Sequence, residues 1–356
     1  MSALIETARA AHGDVGGPAQ PLLSVRGLVK HFPLKRDPLS RKRGGNAVRA
    51  VDGVDFDVKK GETLGVVGES GCGKSTTARL LMHLIDPTGG EVVFDGRAVG
   101  TRDLPLKEFR RQVQMVFQDS YASLNPRLTV EDSIAFGPQV HGVGRKDAVA
   151  RARDLLGRVG LEPARFAERY PHELSGGQRQ RVNIARALAL QPRMVILDEA
   201  VSALDKSVEA QVINLLLDLK AEFGLTYVFI SHDLHVVRYI SDRVMVMYLG
   251  QVAEIGPAES LYDAPAHPYT QALLSSMPSM DPDHRTQEAP LAGDPPNPID
   301  PPSGCRFHPR CPMAAPVCSR HAPTLSPVAA LHAVSCLMHE PGSGHPRAVA
   351  APARAA

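Results

Sequence analysis

Between Leu64 and Thr76 a short apolar run, Leu64 to Val67, leads into Gly68, Gly71, Gly73, Lys74 and Ser75. An apolar helical pattern follows at Ala78, Leu80, Leu81, Leu84 and Ile85. This is a strand, a glycine-rich loop and a helix start, with G-x-x-x-x-G-K-[ST] at its centre. Glycines let the backbone turn tightly and bring its N–H groups onto phosphate oxygens, and the helix N-terminus behind them adds positive potential. In such a loop Lys74 reaches the β- and γ-phosphates of a nucleotide and Ser75 holds Mg²⁺ through its hydroxyl. Glu69, Ser70, Cys72 and Thr76 complete the loop, Cys72 as a small filler. An idle glycine turn would not come with both a strand and a helix legible beside it.

Two further stretches carry chemistry. Met194 to Leu197 is an apolar strand that ends in Asp198 and Glu199. A carboxylate at such a strand end holds Mg²⁺ in phosphate-loop enzymes, which suits Asp198. Glu199, one residue on, is expected to point to the opposite side and to polarise an attacking water as general base. Leu174-Ser-Gly-Gly-Gln-Arg-Gln-Arg181 opens a helix with Ser175, Gly176, Gly177 and Gln178, a second anion-binding N-terminus. One nucleotide cannot easily occupy two such ends of one small domain, so a γ-phosphate from another subunit is indicated. Four cysteines, Cys305, Cys311, Cys318 and Cys336, follow the pattern C-x5-C-x6-C-x17-C. Four thiolates can complete a [4Fe–4S] cluster or a tetrahedral zinc site, or remain free, and the spacing selects none of these.

The elements that must position these residues alternate between strand and helix. Leu22 to Phe32 and Val48 to Val58 alternate like strands, with the basic run Pro33 to Asn46 between them as a solvated hairpin tip. Glu91 to Phe94 and Val113 to Phe117 read as strands, the second followed by Gln118. Val130 to Val159 has a helical pattern, Leu174 to Leu190 is a helix, and Val208 to Phe223 another. Thr226 to Ile230 is a buried strand, and Arg243 to Tyr248 with Gln251 to Ile255 reads as a hairpin. The expectation is an α/β sheet with a mostly helical insert at about 119–180. Residues 1–20 read as a disordered lead-in, 21–256 as the nucleotide-binding domain, 257–341 as an extension and 342–356 as a frayed tail. Prolines crowd 278–303 and predict an extended, ordered linker.

Composition narrows the class. The 356 residues are 43% hydrophobic, enough for a sizeable core, and a net charge of +2 does not argue for nucleic acid. No apolar run approaches the length of a membrane span, and the N-terminus has no secretory signal pattern. In a reducing compartment clustered cysteines are more often metal ligands than disulfides.

On these motifs the sequence resembles the ATP-binding subunits of ABC transporters, from residue 22 to about 340. Gly68–Thr76 is similar to the Walker A loop, Leu174–Gln178 to the family signature, and Asp198 and Glu199 to the Walker B aspartate and catalytic glutamate. Gln118 resembles the Q-loop glutamine that meets Mg²⁺ and the attacking water, Ser202–Asp205 the D-loop, and His232 the switch histidine at the γ-phosphate. Phe32 stands at the aromatic position that stacks on adenine, where a tyrosine is commoner. Gln118-Asp-Ser-Tyr-Ala-Ser-Leu-Asn-Pro-Arg127, Arg169-Tyr-Pro-His-Glu173, His267-Pro-Tyr-Thr-Gln-Ala272 and Gly304-Cys-Arg-Phe-His-Pro-Arg-Cys311 resemble the dipeptide/oligopeptide/nickel import subfamily, the second of its two paired ATPases more than the first.

The resemblance implies a RecA-like P-loop core with an antiparallel β element, a helical insert and a cysteine-bearing C-terminal extension. It implies an ATPase using ATP and Mg²⁺ at the cytoplasmic face of the inner membrane. The expected partners are a second ABC ATPase, two transmembrane permease subunits and, indirectly, a solute-binding protein, with no nucleic acid. For Cys305, Cys311, Cys318 and Cys336 it implies an iron–sulfur cluster. Dipeptide or oligopeptide is the implied cargo, with nickel, opine or glutathione as alternatives. A soluble ABC ATPase acting on DNA or ribosomes would need a coiled-coil insertion or a second cassette, and a sensor would not need Gln118, Glu199 and His232 intact.

Overall fold

The computed structural model describes residues 14, 16–17, 19–34, 47–277 and 293–349. Most of the expected lead-in, most of the basic run and the first part of the proline-rich linker lie outside the described residues. Among the described residues, no helix is long and apolar enough to cross a membrane.

Four strands are apolar at nearly every position: β3 (Thr63–Val67), β6 (Val113–Val116), β7 (Met194–Asp198) and β8 (Thr226–Ile230). β3, β7 and β8 are buried along their whole length, the pattern of strands covered by helices on both faces. They pair in parallel with β6 in the order β3, β8, β7, β6. The register aligns their C-terminal ends: Val66 lies beside Ile230, Ile230 beside Asp198, and Leu197 beside Val116. Loops that leave those ends therefore gather on one edge, where open α/β sheets bind ligands.

On the other side of β3 the sheet continues through parallel β9 (Arg243–Tyr248) to antiparallel β10 (Gln251–Pro257). It does not stop there. β11 (Ser326–Ala329) and β12 (His332–Val334), both from the cysteine-bearing extension, add on to β10 and make eight strands. Buried Glu254 on β10 fastens this junction, accepting from the His267 N–H at 2.9 Å and meeting His332 Nε2 at 2.7 Å. A second, antiparallel sheet pairs β1 (Leu23–Pro33), β2 (Ala47–Val58), β4 (Gly89–Phe94) and β5 (Arg97–Ala98).

The helical stretch expected over Val130 to Val159 is two helices, Val130–Val140 and Arg145–Arg158. Pro138 lies in the last turn of the first, and Gly142 at φ 89° turns the chain left-handed between them. The expected frayed tail is anchored as far as Val349. His345 is buried with Nε2 at 3.1 Å from the Met313 carbonyl, and the Val349 N–H donates to the Met338 carbonyl at 2.9 Å.

Candidate functional site

Four loops from the aligned strand ends meet in a cavity of about 450 Å³. Ser70, Gly71, Gly73, Lys74, Ser75 and Thr76 form its floor, Gln118, Glu199 and His232 one end, and Val48, Ala50 and Pro298 another wall. The loop needs its glycines for two reasons. Gly71 and Gly73 have φ of 78° and 110°, and a Cβ on Gly73 would stand 2.4 Å from the Ala50 carbonyl oxygen. Behind the loop, the helix Lys74–Leu81 begins with its first-turn N–H groups facing the loop end.

Lys74 Nζ donates to the Gly68 carbonyl at 2.7 Å and to the Glu69 carbonyl at 3.1 Å, so the ammonium is held over the loop. Ser75 Oγ donates to Asp198 Oδ1 at 2.9 Å. Burial pushes the Asp198 carboxyl above the usual carboxylate range, opposed by the Ser75 hydrogen bond, and the neighbouring Glu199 charge adds to the rise. A hydroxyl and a buried carboxylate side by side beside a phosphate loop fit the oxygen preference of Mg²⁺.

Glu199 follows Asp198 at the end of β7 and lines the cavity. Strand alternation ends there, because Glu199 has φ 48°, while its N–H still donates to the Ile230 carbonyl at 2.9 Å. A non-glycine residue in that region is strained, and here Glu199 stands on the wall of the Lys74 cavity. Gln118 Nε2 donates to Glu199 Oε2 at 2.7 Å, and His232 Nδ1 lies 3.7 Å from the same oxygen. A carboxylate fixed between an amide and an imidazole, at the phosphate end of the cavity, can take a proton from water.

Ser175, Gly176, Gly177 and Gln178 are not brought to this cavity. Ser175 is the exposed N-cap of the helix Gly176–Leu188, its Oγ accepting from the Gln178 N–H at 3.3 Å while Gln178 Oε1 accepts from the Ser175 N–H at 2.9 Å. The Gly177 Cβ position lies 2.5 Å from Val208 Cγ1, so this glycine also lets two helices pack closely. Phe32 pairs with Val48 across β1 and β2 but is 37% exposed and does not line the cavity. Cys72 is buried within the loop, where burial pushes its thiol up, as suits a filler.

For the four C-terminal cysteines, among the described residues no group of three or more His, Cys, Asp or Glu side chains is arranged to hold a metal ion. The iron–sulfur cluster that the resemblance implies is therefore not shown among the described residues. All four are free thiols in one neighbourhood, and the Cys336 thiol, pushed up to about 12 by burial, also feels Cys305, Cys311 and Cys318. Cys305 is likewise pushed up to about 11 by burial, opposed by the Phe307 backbone N–H, with Cys318 and Cys311 adding to the rise.

Sequence reasoning missed Pro298, Glu69's partner Arg310, and the β2 wall. Arg310 was visible only as part of the Gly304–Cys311 motif, with nothing in the spacing to aim it at the loop.

Comparison with known proteins matches residues 51–202 to the family described as ABC transporter and residues 253–318 to the oligopeptide/dipeptide transporter C-terminal region. The chain is 51% identical over 324 residues to the probable peptide ABC transporter ATP-binding protein y4tS of Sinorhizobium fredii, covering 90% of this chain and 91% of that one. It is 50% identical to the oligopeptide transport ATP-binding protein AppF of Bacillus subtilis, over 90% of this chain and 98% of that one. This chain belongs to the ABC transporter ATP-binding proteins.

Solved ABC ATPases agree in fold. The cbiO1 structure from Clostridium perfringens, part of the ABC transporter complex cbiONQ, superposes with TM-score 0.58 at 26% identity, covering 68% of this chain and 91% of that one. A dimeric ATP-binding cassette in a post-hydrolysis state with ADP and Pi gives TM-score 0.57 at 29% identity, covering 66% and 98%. The protein is accordingly an ABC-type ATPase with a P-loop core.

Proposed function

We propose that this ABC ATPase hydrolyses ATP at the cytoplasmic face of the inner membrane to drive uptake of dipeptides or oligopeptides. Two permease subunits would form the path, an extracytoplasmic solute-binding protein would deliver the peptide, and a second ABC ATPase would complete each nucleotide site. The observation that carries the ATPase reading is Glu199, held between Gln118 and His232 at the phosphate end of the Lys74 cavity. Peptide cargo is supported by the relatives, described as peptide and oligopeptide transport ATP-binding proteins, and by the C-terminal family match.

In this reading Lys74 and the loop N–H groups neutralise the nucleotide phosphates, and Ser75 and Asp198 would hold Mg²⁺, which supplies charge stabilisation at the transferred phosphoryl group. Glu199 takes the proton of the attacking water; Gln118 orients it, and His232 faces the γ-phosphate. Phe32 supplies a π-face for adenine. Ser175, Gly177 and their neighbours act on a nucleotide held by the other subunit, because within one chain they lie away from the cavity.

The domain boundaries follow: 21–256 for the ATPase and 257–341 for the extension. The four thiols have the number and chemistry for an iron–sulfur cluster, which is broader than a single ion; Cys305, Cys311, Cys318 and Cys336 would hold it. Iron and sulfide assays on anaerobically purified protein test that assignment, and colourless protein with stoichiometric zinc contradicts it.

Reconstitution with the co-purified permease in vesicles tests the function. Peptide uptake is expected to require ATP and to stop with Glu199→Gln. Transport of nickel, opine or glutathione but no peptide would replace the cargo, and ATP-independent uptake would remove the ATPase role.

A further inference from the structure

The cysteine-bearing extension reaches the phosphate loop itself. Glu69, the second residue of the loop, is held at three points. Its N–H donates to the Tyr269 hydroxyl at 2.9 Å. Its carboxylate accepts both terminal nitrogens of Arg310, Nη1 to Oε2 at 2.8 Å and Nη2 to Oε1 at 3.0 Å. Its carbonyl accepts the Lys74 ammonium at 3.1 Å. The first two partners lie beyond the nucleotide-binding core, 200 and 241 residues further along the chain, and the third is the lysine that serves the phosphates.

The paired Arg310 contact is not a surface ion pair. Its side chain is 6% exposed, and two parallel hydrogen bonds between a guanidinium and a carboxylate fix orientation as well as distance. Tyr269 is fully buried and packs against Tyr248 and Phe307, with ring centroids 4.6 and 5.4 Å away. A rigid platform therefore stands under a loop whose glycines would otherwise leave it many conformations. The same extension lines the nucleotide cavity at Pro298, whose carbonyl accepts the Arg49 N–H at 3.0 Å.

We propose that Arg310 is a positioning residue of the nucleotide site: it locks Glu69 so that the loop carbonyls hold the Lys74 ammonium where phosphate binds. The inference rests on the reading of this cavity as an ATP site. The loop is pre-organised before nucleotide arrives, and the ordering cost of binding falls accordingly. The extension is then a working part of the nucleotide site rather than an appendage to it.

Titration of the full-length chain with a fluorescent ATP analogue and Mg²⁺ tests this. Arg310→Ala is expected to raise Kd about tenfold, and Arg310→Lys to recover only part, because one ammonium cannot make both bonds. Glu69→Gln is expected to shift Kd the same way, and the double variant Arg310→Ala/Glu69→Gln to be no weaker than the weaker single. A role confined to stability would lower the melting temperature and leave the Kd of the folded protein at its wild-type value; that result overturns the proposal, as do additive losses in the double variant. If Arg310→Ala does not fold, Glu69→Gln and Arg310→Lys carry the test. A wild-type chain that fails to bind the analogue overturns the ATP site itself, a result distinct from an unchanged Kd in the variants.

Discussion

The glycine-containing helix N-termini before Lys74 and at Ser175 are built differently. The loop before Lys74 is braced from all sides: Ala50 against Gly73, Asp198 on Ser75, Arg310 and Tyr269 on Glu69. The turn at Ser175 is closed only by its own capping box and faces outward. One is held by residues from several parts of its own chain, and the other is exposed. The difference teaches that a helix N-terminus becomes a site through what stands around it, and of these two only the loop before Lys74 is braced by distant residues of its own chain.

Variants can break or sharpen that contrast. The largest effect is expected from Lys74→Ala, which removes the ammonium held over the loop and should abolish measurable nucleotide binding by isothermal titration. Ser175→Asn keeps an acceptor for the Gln178 N–H; nucleotide affinity should stay within about twofold while hydrolysis by the assembled transporter falls about 10–100-fold. Equal loss of binding in that variant would erase the distinction between the two ends. Gly177→Ala pushes a methyl against Val208 and should cost about 1–3 kcal/mol in denaturant unfolding, with nucleotide affinity unchanged.

The smallest effect is in pH. Burial holds the His267 imidazole neutral and lowers its pKa from 6.5 to about 4. The unfolded chain therefore binds this proton more readily, so the stability it contributes is complete above about pH 6.5 and is lost as pH falls towards 4. His267 Nδ1 caps the helix that carries Tyr269, accepting its N–H at 2.9 Å. His267→Asn can keep that cap, and its melting temperature should fall less than wild type's between pH 6.5 and 4. This loosens the braced loop and leaves the Ser175 turn alone.

Much of the braced side was legible because parallel strands buried on both faces read as unbroken apolar runs. Thr63–Val67, Met194–Asp198 and Thr226–Ile230 each announce the loop that follows. The backbone at Glu199 was not legible, since nothing in an Asp-Glu pair signals a left-handed turn. Arg310 and Pro298 were hidden for another reason: each meets its partner across about two hundred residues or more, and periodicity carries no such information. The strands of the extension were also missed. Ser326–Ala329 and His332–Val334 are short and only half apolar, and the open edge of Gln251–Pro257 recruits them.

The claim at the centre of this account is that the cavity is one half of a site. Photolabelling the assembled transporter with an ATP analogue reactive at its γ-phosphate, followed by mass spectrometry of the labelled peptides, tests it most directly. Label is expected on the peptide containing Ser175 to Gln178, in the assembled complex and not in chains diluted to monomers. Label confined to Gly68–Thr76, Gln118 and His232 under both conditions would show that a single chain completes its own site.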